Sequence, residues 1–179
     1  MPEIEIRPAI ASDIPRLIAM DHTYTSDYVW QMEIQQTDGQ VLAKFREVHL
    51  PRSVRVDYPR PHRKLADDWT QRSGLLVAVF VGEPVGYVSM MLNVTPAACW
   101  VSDLVIKRRL RRQGIGSALL LAAREWGKHH ECRYLILEMQ TKNYAAIQLA
   151  LKLGFDFCGY NDRYYANHDI SLFFSKSLA

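Results

Sequence analysis

Two near-continuous apolar runs, Leu75 to Val81 and Val85 to Leu92, are separated only by Gly82-Glu83-Pro84. Apolar runs of this length, bounded by turn residues and without polar alternation, read as buried strands. The short turn makes them a pair in the middle of a sheet. The rest of the chain must be arranged around that pair. On its C-terminal side the pattern predicts a strand over Trp100 to Ile106, a long helix over Gly114 to His130, a strand over Tyr134 to Met139 and a helix over about Asn143 to Leu153. Strands near Phe155 to Tyr160 and Ile170 to Ser175 follow. Strands that alternate with helices imply a parallel pair, whereas tight turns imply antiparallel pairing, so a mixed sheet is expected.

On the N-terminal side, Ile4 and Ile6 alternate with charges as a short strand does, and Ala11-Ser12-Asp13-Ile14-Pro15 reads as a helix start that Ile14, Leu17, Ile18 and Asp21 continue. From Tyr28 to Tyr58 the pattern becomes extended and aromatic, split by Thr37-Asp38-Gly39, and predicts a hairpin. Pro51, Pro59 and Pro61 then interrupt regular structure before a short amphipathic segment around Leu65 and Trp69. With 179 residues, 49% hydrophobic and 23% charged, the chain is expected to form a single domain over 1–179 rather than a disordered or disulfide-framed one.

The 22 basic residues against 19 acidic ones give a net charge of +3, too mild to name a partner. No stretch approaches the roughly 20 apolar residues that cross a bilayer, and Met1-Pro2-Glu3-Ile4-Glu5 lacks a signal-peptide profile. A cytoplasmic protein without a membrane partner is the expectation. Cys99, Cys132 and Cys158 lack a metal-binding spacing and read as reduced, mostly buried thiols. No two of the six histidines stand four apart on a helix, so no metal is expected, and His129-His130 suit a helix C-terminus.

The segment Leu104-Val105-Ile106-Lys107-Arg108-Arg109-Leu110-Arg111-Arg112-Gln113-Gly114-Ile115-Gly116-Ser117-Ala118 passes from an apolar strand through a basic turn into a helix. Unpartnered amides and the positive end of the macrodipole make such a helix start suited to an anion, and glycines let a phosphate approach the backbone. Arginine adds charge-assisted bonds. The third glycine of a dinucleotide fingerprint is absent, since Leu119 occupies its place, and no Gly-Lys-Ser/Thr ending is present. Two other readings stay open: a solvated basic turn, and a nucleic-acid patch, which the short run and the lack of interleaved aromatics disfavour.

Arg111-Arg112-Gln113-Gly114-Ile115-Gly116 resembles the pyrophosphate loop of the GCN5-related N-acetyltransferases (GNAT). The resemblance extends to Asp103-Leu104-Val105-Ile106, which look like the family's fourth strand, and to Asn143-Tyr144-Ala145-Ala146-Ile147 with Gly154-Phe155, which look like its second motif. Ile6-Arg7-Pro8-Ala9 and Asp13-Ile14 fit the start. A narrower and partial resemblance to streptothricin acetyltransferases lies in Leu137-Glu138-Met139-Gln140, Asn143, Gly159 and Ile170-Ser171-Leu172-Phe173-Phe174. Residues 22–70 resemble nothing familiar; substrate contacts would vary there, and a homodimer contact would fall there.

The resemblance implies an α/β fold with a GNAT-like mixed, mostly antiparallel sheet, splayed central parallel strands and flanking helices. It also implies transfer of acetyl from acetyl-coenzyme A to an amine of a small molecule or protein. The pyrophosphate would sit on Arg111, Arg112, Gln113, Gly114, Ile115, Gly116 and Ser117. The pantetheine and thioester would meet the backbone of Leu104, Val105 and Ile106, and Asn143 would contact the pantetheine, cap a helix, or both. The family often carries a tyrosine eight positions into the second motif, where this chain has Ala150. Protonation of the leaving thiolate would then fall to Tyr144, Tyr160, Tyr164 or Tyr165, with Tyr164 and Tyr165 favoured, or to water. Glu138 and Asp103, near the ends of the two strands expected to splay, are candidate general bases; each also suits a structural hydrogen bond or ion pair. Tyr28, Trp30, Tyr58 and Trp69 could line a cationic pocket or belong to the core. A module that binds coenzyme A without turnover is the rival reading.

Overall fold

The structure, a computed structural model, describes residues 3–179. In chain order its elements are β1 (Glu5–Pro8), α1 (Ile14–Ile18), β2 (Tyr24–Thr37), β3 (Gln40–Val56), α2 (Leu65–Asp68), β4 (Gly74–Phe80), β5 (Glu83–Met91), β6 (Ala98–Ile106), α3 (Ile115–His129), β7 (Tyr134–Gln140), α4 (Tyr144–Lys152), β8 (Asp156–Asn161) and β9 (Ser171–Ser177). Seven strands form one sheet in the order β1-β4-β5-β6-β7-β9-β8. Every neighbouring pair is antiparallel except β6 and β7, which are parallel because α3 carries the chain back between them.

Both faces of this sheet are covered, which explains why β4 and β5 lack alternation. On one face Ile115, Leu119, Leu120 and Ala123 of α3, with Ile147 and Ala150 of α4, pack on Ala78, Val88, Val101, Leu137 and Phe174. Each such large side chain, taken fully out of water, contributes about 1.5–3 kcal/mol. On the other face Ile14, Leu17, Met20 and Leu65 pack on Val77, Val79, Tyr87 and Val105.

The segment Tyr24–Val56 forms a separate two-stranded sheet, turned at Asp38-Gly39 as its sequence indicates. Trp30 and Phe45 anchor it on Phe157, Phe174 and Tyr160, and the Trp30 N–H donates to the Thr141 carbonyl at 3.0 Å. Two local expectations change. Helix α1 ends at Ile18 rather than continuing through Asp21. The helix start itself forms as expected, the Asp13 carboxylate taking the Ile10 N–H at 2.9 Å and a two-pronged bond from Arg7 at 2.7 and 3.0 Å. Cys99 is buried but Cys158 is exposed. His129 and His130 each donate through Nδ1 to the carbonyl four residues back, at 2.7 and 2.8 Å, closing α3.

Candidate active site

Strands β6 and β7 pair only from Ala98↔Tyr134 to Val101↔Leu137, although β6 continues to Ile106 and β7 to Gln140. Past that point the strands part. A cleft opens between them, lined by Leu104, Leu120, Leu137, Ala146 and Leu149 on its apolar side and by Tyr58, Arg60, Glu138, Gln140, Asn143 and Tyr165 on its polar side.

A β-bulge decides which side chains meet there. Ser89 faces Asp103 while Met90 faces Val101, so Ser102 is an extra residue in β6. Strict alternation would put Asp103 on the α3 face with Cys99 and Val101. The bulge instead returns Leu104 and Ile106 to that face and turns Asp103 and Val105 to the other.

Glu138 is the centre of the polar side, its carboxylate fully buried. Oε2 accepts from the Trp100 indole N–H and from the Tyr164 hydroxyl, the latter at 2.6 Å. Oε1 faces the Arg60 guanidinium. Burial raises the Glu138 pKa above the usual carboxylate range, against the opposing pull of Arg60, Tyr164 and Trp100. Burial works against the charge on Arg60, but Glu138 and Asp103 outweigh it and hold the guanidinium protonated. Tyr164 is pushed up to about 12, by burial first and then by its bond to Glu138. Tyr165 is raised by burial first and then by Glu138, and its hydroxyl lies 3.4 Å from Ser171 Oγ.

Asp103 stands apart from the cleft. Its carboxylate accepts from the Tyr58 hydroxyl, from Arg72 Nη1 at 2.7 Å and from Ser102 Oγ at 3.0 Å. Arg72 also donates to Ser89 Oγ at 2.7 Å and pairs with Asp68 at 3.1 Å. Beside this network lies His22, whose Nε2 is 3.0 Å from the Tyr87 hydroxyl and whose ring meets Tyr58 edge-on and stacks on His62 at 4.2 Å. Both carboxylate oxygens of Asp103 are thus engaged by protein donors outside the cleft's reacting end.

The basic turn leads into α3 with positive φ at Arg112 (65°) and at the cap Gly114 (88°). A side chain at Gly116 would lie 3.3 Å from Leu149 and 3.4 Å from Ile106, so the glycine also lets α3 approach α4. Arg111 is turned away from the helix start: it donates to the carbonyls of Ile106, Thr23 and Asp21 at 2.8, 2.9 and 2.9 Å. It ties the connector before β2 to the end of β6. Arg112 is exposed, and Gln113 donates to the Arg109 carbonyl at 3.4 Å. Asn143 caps α4, accepting the Ala146 N–H at 3.2 Å through Oδ1, and its side chain lines the cleft wall. Ala150 is wholly buried in the α4 core.

The aromatic group read from the sequence does not form one pocket: Tyr28 stacks on Tyr144, Trp30 anchors the hairpin, and Trp69 packs on the α1 side, leaving Tyr58 alone on the cleft wall. Sequence reasoning missed Arg60, Trp100 and Arg72. Arg60 stands between Pro59 and Pro61, which hold that segment out of helix and strand, and this was its only local signal. Trp100 had none, because its partner lies on a different strand, and Arg72 had only Asp68 four positions before it, since Ser89 and Asp103 come from β5 and the bulged β6.

A model of the Acetyltransferase (GNAT) family matches residues 42–155, so the chain belongs to that family. The match reaches into the segment 22–70 that carries no familiar motif. Among solved structures, a nourseothricin acetyltransferase aligns with TM-score 0.82 and 22% identity, over 98% of this chain and 99% of that one. A Bacillus anthracis structure described as a streptothricin acetyltransferase in complex with acetyl coenzyme A aligns at 0.74 and 15%, over 98% and 99%. A ribosomal-protein-alanine N-acetyltransferase from Brucella melitensis aligns at 0.63 and 22%, over 97% and 99%. Comparison with curated protein sequences finds no match. No helix among the described residues is long and apolar enough to cross a membrane.

Proposed function

We propose that the protein transfers acetyl from acetyl-coenzyme A to a primary amine of a small molecule or a protein. The observation that carries this reading is the end of β6–β7 pairing at Val101 and Leu137, which leaves the β6 backbone open toward a cleft whose polar end is Glu138. The residues present fit such a cofactor. The apolar wall of Leu104, Leu120, Ala146 and Leu149 suits a narrow pantetheine arm, and the left-handed turn at Arg112 and Gly114 suits a pyrophosphate.

When bound, acetyl-coenzyme A would supply an acetyl group activated as a thioester. The amides at the start of α3, with Gln113, Ile115, Gly116 and Ser117, would hold the phosphates. Arg111 would contribute by shaping the loop, and Arg112, being exposed, by its charge. Backbone groups of Leu104, Val105 and Ile106 and the Asn143 amide would orient the arm. An alkyl amine has a pKa of about 10.4 and enters as a cation, so a proton must leave before attack. Glu138 is the base we assign, because its carboxylate lies on the cleft and burial has raised its proton affinity. Asp103 is assigned a structural role. Tyr165 lines the cleft and stays protonated at neutral pH, so its hydroxyl is the proposed donor to the departing sulfur; Tyr164 positions Glu138.

The test is calorimetry with acetyl-coenzyme A, coupled to thiol release over a panel of amines. Wild-type protein should bind the cofactor and release thiol only with an acceptor, whereas Gly114→Val, which strains a left-handed cap, should lose affinity while remaining folded. Unchanged affinity in folded Gly114→Val removes the loop assignment. Binding without acceptor-dependent release across the panel establishes the non-catalytic rival.

A further inference from the structure

The polar end of the cleft is occupied by the chain itself. The Arg60 guanidinium lies 5.7 Å from the Tyr164 ring centroid and 5.5 Å from that of Tyr165. It donates to the Ser102 carbonyl at 3.0 Å and forms an ion pair with Glu138. Two aromatic faces, a carbonyl and a carboxylate are the components of a site for an organic cation. The carbonyl belongs to the stretch of β6 beyond Val101, where pairing with β7 has ended.

Three observations indicate that Arg60 is an exchangeable occupant of this cage. Its side chain keeps 30% of its exposure while that of Glu138 keeps none, so the cage has an opening on the Arg60 side. Arg60 belongs to neither helix nor strand, standing in the Tyr58-Pro59-Arg60-Pro61 strap between β3 and α2. Finally, Glu138 Oε1 is buried and, among the described residues, accepts no hydrogen bond of good geometry; the charge of Arg60 faces it, whereas Oε2 has both Trp100 and Tyr164. The carboxylate oxygen without a fixed donor is therefore the one on the cation side.

Resting on the acetyltransferase reading, we infer that the cage formed by Glu138, Tyr164, Tyr165 and the Ser102 carbonyl is the acceptor's cation site, that Arg60 fills it in the free protein, and that the acceptor's ammonium displaces Arg60. A buried carboxylate cannot lose its counterion without a large cost, so only another cation can take the place of Arg60, and neutral or anionic acceptors are refused. Displacement also clears Oε1. The ammonium that replaces Arg60 gives its proton to that oxygen, and its nitrogen keeps the electron pair needed for attack. Arg60 thus couples acceptor charge to the release of the base.

The probes are n-butylammonium and n-butylguanidinium, with n-butanol and butyrate as neutral and anionic counterparts, titrated into wild-type and Arg60→Ala protein by calorimetry without acetyl-coenzyme A. Wild-type protein must first surrender its own ion pair, so its apparent affinity is reduced by the fraction of open cage. Both cations should bind Arg60→Ala at least about tenfold more tightly than wild type, with n-butanol and butyrate binding neither. Equal cation affinities in the two proteins overturn the proposal, as does butyrate binding that Arg60→Ala abolishes, which would make Arg60 an anion receptor.

If Arg60→Ala does not fold, the side-chain ¹⁵Nε signal of Arg60 in wild-type protein, assigned by its loss in Arg60→Lys, decides the matter. It should move toward the solvent-exposed arginine position as n-butylguanidinium is added, and a signal that stays fixed refutes exchange. Because no arm uses acetyl-coenzyme A, cation exchange without any amine-dependent thiol release would sink the transferase reading and leave the site standing. Thiol release without cation exchange would do the reverse.

Discussion

Replacing Asp103 by Asn separates a structural carboxylate from a catalytic one. The side chain is 5% exposed and its Oδ2 takes Arg72 Nη1 at 2.7 Å and Ser102 Oγ at 3.0 Å, while Oδ1 takes Tyr58. Asn keeps an acceptor for Tyr58 but turns a donor NH₂ toward the Arg72 and Ser102 donors. The Arg72 side chain, 18% exposed, is left with the half-exposed Asp68 as its counterion. A lost charge-assisted bond costs about 1.5–3 kcal/mol, and breaking a buried pair about 3–5 kcal/mol. Residual pairing with Asp68 argues for the lower part of that range, about 2–4 kcal/mol. For a chain of this size that is a fall in Tm of about 5–15 °C. Urea unfolding gives the free energy, and thiol release normalised to folded protein gives the limiting rate. The expected result is a destabilised protein whose folded fraction keeps its rate, and adding Arg72→Met should recover part of the stability by removing the uncompensated charge. A loss below about 1 kcal/mol, or a lost limiting rate at full stability, would refute the reasoning and return Asp103 to the role of proton acceptor.

Glu138→Gln should lower the limiting rate about 10²–10⁴-fold with cofactor affinity little changed, and it should erase the acid limb of the wild-type rate profile, which falls as pH drops through the raised Glu138 pKa; an acid limb that survives in the variant assigns the base elsewhere. Tyr165→Phe should lower the limiting rate without weakening binding, whereas Tyr164→Phe, by removing a donor to Oε2, should move the acid limb upward; full rates in both variants would transfer sulfur protonation to water. Burial depresses the His22 pKa, opposed by its bond to the Met20 carbonyl. Below about pH 6.5 the unfolded chain therefore binds this proton more readily than the folded one, and stability is lost as pH falls through that region. Denaturant midpoints at pH 7.5 and 5.5 should show this loss in wild type and less of it in His22→Gln, and equal losses would exclude His22 as its source.

The strands β4 to β7, the helices α3 and α4 and the hairpin at Asp38-Gly39 were legible in the sequence because each rests on local regularities: apolar run length, helical spacing and turn chemistry. The basic turn proposed above for the cofactor was legible as a strand-to-helix turn for the same reason, since strand, glycine cap and helix are contiguous. The side chain of Arg111 was not, because its three acceptors include carbonyls of Asp21 and Thr23, some ninety positions away. The polar end of the cleft was the least legible part. Glu138 could be marked as a carboxylate at a strand end, but its partners come from β6, from the strap after β3 and from the loop before β9. One extra residue at Ser102 reverses the side-chain alternation of β6, and with it the face on which Asp103 lies. The sequence alone determined which of these elements form and where a glycine-capped basic turn enters a helix. Which carboxylate meets the cleft, and which cation meets the carboxylate, was decided only by tertiary packing, because burial and long-range pairing set the chemistry of a charged group and neither is a property of its neighbours along the chain.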